Sequence, residues 1–244
     1  MTLRRVNLIL FEPHELGAPL PRSDRRARHL LDVLRCNVGA AFDAGVVNGA
    51  RGKATLTHIG ADALSLSFVA TEPPPPAEPI TLVVGLPRPQ TARDVLRDAT
   101  TLGVGAIHFV RTDKAERSYA QSTLWSGGEW RRHLLAGAEQ AFATCLPEIT
   151  HDRPLAAVLP TLAPDGRRLA LDNYEASGGL GEFSLAPRSP VVLALGAERG
   201  WSAAERELLR GHGFAFVHLG ARVLRTETAV IAALTLVRAK LRLL

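Results

Sequence analysis

Between residues 191 and 241 the chain twice repeats one pattern, an apolar strand that breaks at a glycine into a short loop and then enters a helix. VVLAL at 191–195 is short, β-branched and apolar throughout, the mark of a strand buried on both faces. Gly196 breaks it and Gly200 closes the loop. Ser202 and Glu205 form an S-x-x-E capping box, which predicts a helix start, and Gly211 and Gly213 stop that helix. Residues 214–219 predict the next strand, Gly220 breaks it, and the loop 221–225 carries Arg222 and Arg225 before Thr226 offers a cap. Val230, Leu234, Val237 and Leu241 then recur at helical spacing, the apolar stripe of a closing helix. Loops that leave the carboxyl ends of parallel strands gather helix N-termini and free N–H groups, which is where α/β sheets bind ligands. Two ordinary strand-to-helix turns would show the same pattern.

From Ile80 onward the whole chain alternates in this way. Strands are predicted at 80–86, 106–110 and 168–172, helices at 91–102 and 124–144, and a flexible connection at 176–181. Such alternation implies a largely parallel sheet with helices on both faces. Residues 1–71 differ: short, partly alternating segments at 40–43, 53–59 and 63–68, with turn signals between them, predict a small β-barrel. One helix precedes it at 23–34, with Ser23 as cap and Leu30, Leu31, Val33 and Leu34 opposite Arg25, Arg26 and Arg28. That arginine face suits phosphates, and a solvated helix surface would look the same. Between the two halves, residues 71–79 read TEPPPPAEP. Proline lacks an N–H and restricts its predecessor, so this is a stiff linker and a domain boundary.

A chain of 244 residues with 46% hydrophobic content can build two cores. It has no apolar run long enough to span a bilayer and no export signal, and Cys36 and Cys145 lie too far apart for a zinc or redox motif. A cytoplasmic protein without structural metal is the expectation. The net charge of +5 suits a nucleic-acid partner, and only Lys53, Lys114 and Lys240 among the 29 basic residues are lysines. Arginine favours planar, bidentate phosphate or base contacts, although a G+C-rich genome would also enrich it. Motifs for dinucleotide or nucleotide triphosphate binding, zinc hydrolysis and serine hydrolysis are absent. Gly178, Gly179 and Gly181 suggest flexibility, and His108, His133, His151, His212 and His218 are isolated.

Within the C-terminal pattern, LGAERGWSAAE and LGARVLRTETA resemble two motifs of the family that methylates uracil N3 in 16S ribosomal RNA, a branch of the α/β-knot methyltransferases. The second is nearly complete in Leu219, Gly220, Arg222, Leu224, Arg225, Glu227, Thr228 and Ala229. The first departs at Ala197, where the family has proline, and at Arg199, where it has glycine. ATTLGVGAIHFVRTDKAERSY and AEQAFATCLPEI are similar to further stretches, with Thr101, Thr144 and Pro87-Arg88 as departures. His29, Val33, Leu34 and Arg35, with Arg4 or Arg5, resemble the family's N-terminal PUA-like barrel.

The resemblance implies a PUA-like RNA-binding barrel at 1–72, a linker at 73–79 and a trefoil-knotted α/β domain with a mainly parallel sheet at 80–244. It implies a homodimer that uses S-adenosylmethionine to methylate 16S ribosomal RNA or the small subunit. The cofactor is expected against Leu171, Asp172 and Asn173, Leu195, Gly196, Ala197, Glu198 and Gly200, and Leu219, Gly220, Arg222, Val223, Leu224 and Thr226. Arg225 and Glu227 are the candidates for chemistry, and Arg4, Arg5, Arg25, Arg26, Arg28, His29, Arg35 and Arg117 for RNA. Two other readings stay open: a ribose 2′-hydroxyl methyltransferase of the same superfamily, and an RNA-binding protein that has lost its cofactor.

Overall fold

The computed structural model describes residues 8–244, and its chain divides into two compact units. The described residues through Pro76, with Ala138–Leu146, form the first; Ala77–Gly137 and Pro147–Leu244 form the second.

The first unit is a curled mixed sheet. Its strands β1 (Ile9–Phe11), β2 (Leu20–Pro21), β3 (Ala41–Val46), β4 (Arg51–Ile59) and β5 (Ala63–Glu72) lie in the order β1-β3-β4-β5-β2. β1 runs parallel to β3 and the other pairs are antiparallel. Along β4 the alternation sends Gly52, Ala54 and Leu56 inward, where Leu56 joins Ile9, Phe11, Leu30, Phe42 and Leu64 in one core. Gly52 sits at a bulge where a Cβ would come within 2.0 Å of the Val69 carbonyl oxygen, so only glycine lets β4 and β5 meet there.

Helix α1 (Arg25–Arg28) continues into a wider turn over His29–Val33, in which the Leu34 N–H bonds to the His29 carbonyl at 2.9 Å. The expected cap at Ser23 is displaced by one residue. Asp24 has the extended backbone of a cap, and its carboxylate accepts the Arg26 N–H at 2.7 Å. The wider turn also rotates the following residues, leaving Val33 66% exposed instead of on the apolar face. The segment Ala138–Leu146 is latched to the turn between β3 and β4. The Thr144 hydroxyl donates to the Gly49 carbonyl at 2.7 Å, the Leu146 N–H to the Asn48 side chain at 2.9 Å, and the Arg51 guanidinium to the Phe142 carbonyl at 2.8 Å.

The second unit is built on β6 (Glu78–Gly85), β7 (Val104–Arg111), β8 (Glu148–Pro154), β9 (Arg167–Leu171), β10 (Val191–Leu195) and β11 (Ala215–Val217), all parallel, in the order β11-β9-β10-β6-β7-β8. Helix α2 (Pro89–Thr101) joins β6 to β7; α3 (Thr123–Ser126) and α4 (Glu129–Ala141) precede β8; α5 (Leu155–Val158) follows it; α6 (Ala203–Gly211) joins β10 to β11; and α7 (Thr226–Lys240) closes the chain. Val83, Ala170, Val192, Ala194 and Phe216 share a core with residues of α5 and α6, while Leu82, Leu169 and Leu193, of opposite parity, are equally buried. The sheet is therefore covered on both faces, as its unbroken apolar strands require. From β6 the chain builds out through β7 and β8, then returns to lay β9, β10 and β11 on the other side. The reversal falls between β6 and β10, and at such a point a crevice opens at the carboxyl ends of the strands.

Two sequence expectations change here. The single helix expected over 124–144 is two, because Gly127 ends α3 and Gly128 takes a φ of +69°, a backbone open mainly to glycine. The segment 176–181, expected to be flexible, is tied down: the His218 N–H bonds to the Gly178 carbonyl at 3.1 Å, the Leu180 N–H to the His218 carbonyl at 2.8 Å, and Leu180 is fully buried.

Candidate active site

β9, β10 and β11 end side by side at Leu171, Leu195 and Val217, and the loops that follow enclose a cleft of about 920 Å³. Every residue expected from the sequence to hold the cofactor lines it, from Leu171 to Thr226, and so do Arg225 and Glu227. The volume falls within the range that buries a small-molecule ligand.

Each wall has its own support. After β9, the buried Asp172 accepts the N–H groups of Tyr174 at 2.7 Å and Glu175 at 2.8 Å on one oxygen, and the Arg206 guanidinium at 2.8 Å on the other. Both oxygens are engaged, so Asp172 serves the cleft by fixing its loop. After β10, the chain doubles back so tightly that a Cβ on Gly196 would stand 2.7 Å from the Gly200 Cα, and Gly200 has φ +64°. Trp201, fully buried, donates its indole N–H to the Leu171 carbonyl at 3.2 Å and so ties the second wall to the first. The capping box forms as expected: the Ser202 hydroxyl accepts the Glu205 N–H at 3.2 Å, and the Ser202 N–H reaches the Glu205 carboxylate at 2.7 Å. Lys114, from the loop after β7, clamps the carbonyls of Arg199 at 3.3 Å and Trp201 at 2.8 Å. The Glu198 carboxylate accepts the Arg88 N–H at 3.0 Å.

The third wall is the loop after β11. Gly220 adopts φ +102° and donates its N–H to His218 Nδ1 at 3.1 Å, which puts the proton of a neutral ring on Nε2. A Cβ on Gly220 would meet nothing within 4 Å, so glycine is needed there for its backbone and not for space. Thr226 does not cap α7. Arg225, still extended at φ −65° and ψ 154°, is the cap position, its carbonyl accepts the Ala229 N–H at 2.8 Å, and Thr226 is already helical and buried. Arg225 and Glu227 form no ion pair with each other among the described residues.

The electrostatics of the cleft follow from which charges are engaged. Asp172 and Glu198 are bonded within the protein, whereas the side chains of Arg199, Arg222 and Arg225 have no hydrogen bond or ion pair among the described residues. The cleft thus presents three uncommitted cations. The N–H groups of residues 221–224 are also without a hydrogen-bond acceptor among the described residues. Among those residues no group of three or more His, Cys, Asp or Glu is placed to hold a metal ion, and no helix is long and apolar enough to cross a membrane.

The residues expected to touch RNA lie elsewhere. Arg4 and Arg5 fall outside the described residues. In the first unit Arg26 points inward, bonded to Glu15 at 2.6 Å and Asp24 at 2.8 Å and lying 5.0 Å over the Phe11 ring; the hydrogen bonds from its guanidinium hold both carboxyls below their ordinary range. Its donors are occupied within the fold. Arg25 is 64% exposed and pairs with Glu139 at 3.2 Å; Arg28 and Arg35 are exposed, and His29 is half-buried. In the second unit Arg117 is exposed at the start of the short 3₁₀ turn Arg117–Gln121.

Arg88 stands out in the sequence only as a departure from the family pattern, and Lys114, Tyr174 and Arg206 not at all as site residues, because their roles depend on contacts across the chain. Trp201 was visible within its motif.

Comparison with known proteins gives this site its class first: the family described as the RNA methyltransferase domain matches residues 73–238. The ribosomal RNA small subunit methyltransferase E of Treponema pallidum is 38% identical, the alignment covering 96% of this chain and 91% of that one. Ribosomal RNA small subunit methyltransferase E 1 of Borreliella burgdorferi is 25% identical, over 97% and 99% of the two chains. The crystal structure of the Neisseria gonorrhoeae ribosomal RNA small subunit methyltransferase E bound to S-adenosyl methionine has a TM-score of 0.77 at 25% identity, over 96% of this chain and 98% of that one. The chain belongs to the ribosomal RNA small subunit methyltransferase E family.

Proposed function

We propose that this protein is an S-adenosylmethionine-dependent methyltransferase that modifies uracil N3 in the RNA of the small ribosomal subunit. The observation that carries the reading is the convergence of both C-terminal motifs on one cleft, with Arg225 uncommitted beside the loops suited to the cofactor. The cleft fits that cofactor: the tight turn at Gly196 lets backbone approach closely, the N–H groups of 221–224 await acceptors, and Leu171, Leu195, Ala197 and Leu224 supply an apolar floor for adenine. When bound, S-adenosylmethionine supplies an electrophilic methyl group.

The chain's own task is to make N3 nucleophilic. That nitrogen carries a proton, and once it leaves, negative charge spreads onto O2 and O4. The Arg225 guanidinium can hold one of these oxygens in a fixed planar geometry and stabilise the anion as it forms. Glu227, in the first turn of α7, can take the proton or orient the arginine.

The finer architecture belongs to the same proposal. A trefoil knot is supported by the loop after β9, which reaches the end of α7 through the Lys240 ammonium on the Gly181 carbonyl at 2.6 Å and the Arg188 N–H on the Leu241 carbonyl at 3.0 Å. A PUA-like, RNA-binding first unit is supported by its curled mixed sheet and exposed Arg28 and Arg35. A homodimer is supported by α7, which buries Val230, Leu234 and Val237 on one side yet leaves Ile231 and Leu236 about 40% exposed on the other. A cytoplasmic setting accords with a ribosomal substrate.

Incubation of the purified protein with S-adenosylmethionine and small-subunit ribosomal RNA or subunits, followed by digestion and mass spectrometry, tests the reading. It predicts 3-methyluridine. A ribose-methylated nucleoside as the product would assign the cleft to the other branch of the superfamily.

A further inference from the structure

Tyr174 stands 82% exposed at the cleft, and nothing in the chemistry above uses it. Its backbone is nevertheless fixed by hydrogen bonds. The Tyr174 N–H bonds to Asp172 Oδ1 at 2.7 Å, the next N–H bonds to the same oxygen at 2.8 Å, and Asp172, with only 2% of its side chain exposed, is locked by Arg206 at 2.8 Å. The Arg206 guanidinium lies 5.2 Å from the Tyr174 ring centre. An aromatic ring held out on a rigid, ion-paired turn is organised before any ligand arrives, at a cost that an idle surface residue would not repay.

On the proposed function, we infer that Tyr174 is a stacking platform for a base of the RNA substrate beside the target uracil. Three observations select RNA over other ligands. The ring is too exposed to form the closed slot that the cofactor's adenine needs, and Leu171, Leu195 and Ala197 offer that slot deeper in the cleft. Arg199 and Arg222, which line the same cleft, are uncommitted cations, the charge that a phosphate backbone seeks. Of the carboxylates beside it, Asp172 is locked by Arg206 and Glu175 is paired with Arg210 and lies 3.7 Å from Arg206, so neither stands as an unpaired negative charge against a polyanion. Aromatic rings interleaved with such cations are how single-stranded RNA is gripped, because every base has a π-face. Tyr174 is thus a positioning residue that fixes the strand while the uracil enters the cleft.

The test uses the full-length protein and Tyr174→Ala, Tyr174→Leu and Tyr174→Phe. Three quantities are measured: the KM for small-subunit ribosomal RNA, the Kd for S-adenosylmethionine, and the fluorescence of a short RNA carrying 2-aminopurine beside the target uracil. The Ala and Leu variants should raise the RNA KM about five- to 150-fold, the range that stacking on one aromatic ring provides. They should also lose the quenching of 2-aminopurine and leave the cofactor Kd within about twofold. Phe should restore both RNA readouts to within about threefold. A weakened cofactor Kd with unchanged RNA KM would assign the ring to S-adenosylmethionine, and unchanged values throughout would leave it an exposed loop residue; either result overturns the inference. The fluorescence needs only binding. A wild type that quenches but transfers no methyl group would therefore sink the functional reading and leave the stacking role standing.

Discussion

Arg225 ends an extended stretch at the mouth of α7 with its guanidinium uncommitted among the described residues, the state expected of a group that waits for a substrate oxygen. Arg225→Ala should keep cofactor affinity while losing about 100-fold or more in single-turnover methyl transfer, the scale of one oxyanion donor. Arg225→Lys should restore only part of the loss, since a point charge cannot reproduce the fork. Asp172 acts differently. Its partner Arg206 is buried, so Asp172→Asn leaves that cation only the longer 3.7 Å contact with the part-exposed Glu175 and should cost up to about 3–5 kcal/mol of stability, with a weakened cofactor Kd as the loop loosens. Calorimetry and chemical denaturation read both effects. Arg225 was legible because its motif fixes residue types at set spacings, and such spacing survives in a linear text. Asp172 was legible only as a position near the cleft. Its engagement with Arg206 joins two elements far apart in sequence, and no periodicity records it.

Elements were legible where one local signal dominates. The strand Val191–Leu195 is apolar and β-branched from end to end, and the box of Ser202 and Glu205 sets the start of α6 by bonds within four residues. β8, EITHDRP, escaped because an edge strand carries no continuous apolar run, and β1 because three residues are too few to show a period. The split between α3 and α4 was hidden by apolar residues that keep helical spacing across two glycines. At α1 the sequence showed an arginine face but not which arginine turns inward. Arg26 does so because Glu15 and Asp24 flank it, and these carboxyls sit below their ordinary values of 4.5 and 3.8. Groups with lowered folded pKa stabilise above the ordinary value, and that contribution is lost as pH falls through the folded one. Arg26→Ala should therefore destabilise the first unit by about 1–3 kcal/mol near pH 7. Its deficit relative to wild type should shrink as pH falls below the ordinary carboxyl values of 4.5 and 3.8. A deficit independent of pH, followed by amide hydrogen exchange, would show that Arg26 acts through packing on Phe11 alone.

At the scale of the whole molecule, the chain passes from the first compact unit to the second between Pro76 and Ala77, with β5 ending at Glu72 and β6 beginning at Glu78. The return of Ala138–Leu146 to the first unit was not legible, since Thr144 and Asn48 find each other only in three dimensions. Cleavage within residues 73–77 should therefore leave the two pieces associated through that segment under native conditions, and size-exclusion chromatography after limited proteolysis checks this. On the proposed homodimer, charged substitution of the outer face of α7, such as Ile231→Glu with Leu236→Glu, should yield a monomer by sedimentation, and a wild type that is itself monomeric would remove that part of the proposal. The claim on which all of this depends is that the cleft methylates uracil N3 in the small subunit. It is tested most directly by nucleoside mass spectrometry of ribosomal RNA from a strain lacking this gene, complemented with wild type or with Arg225→Ala. The account predicts that 3-methyluridine disappears from small-subunit RNA on deletion, returns with wild type and fails to return with the variant. Undiminished 3-methyluridine in the deletion strain would contradict it.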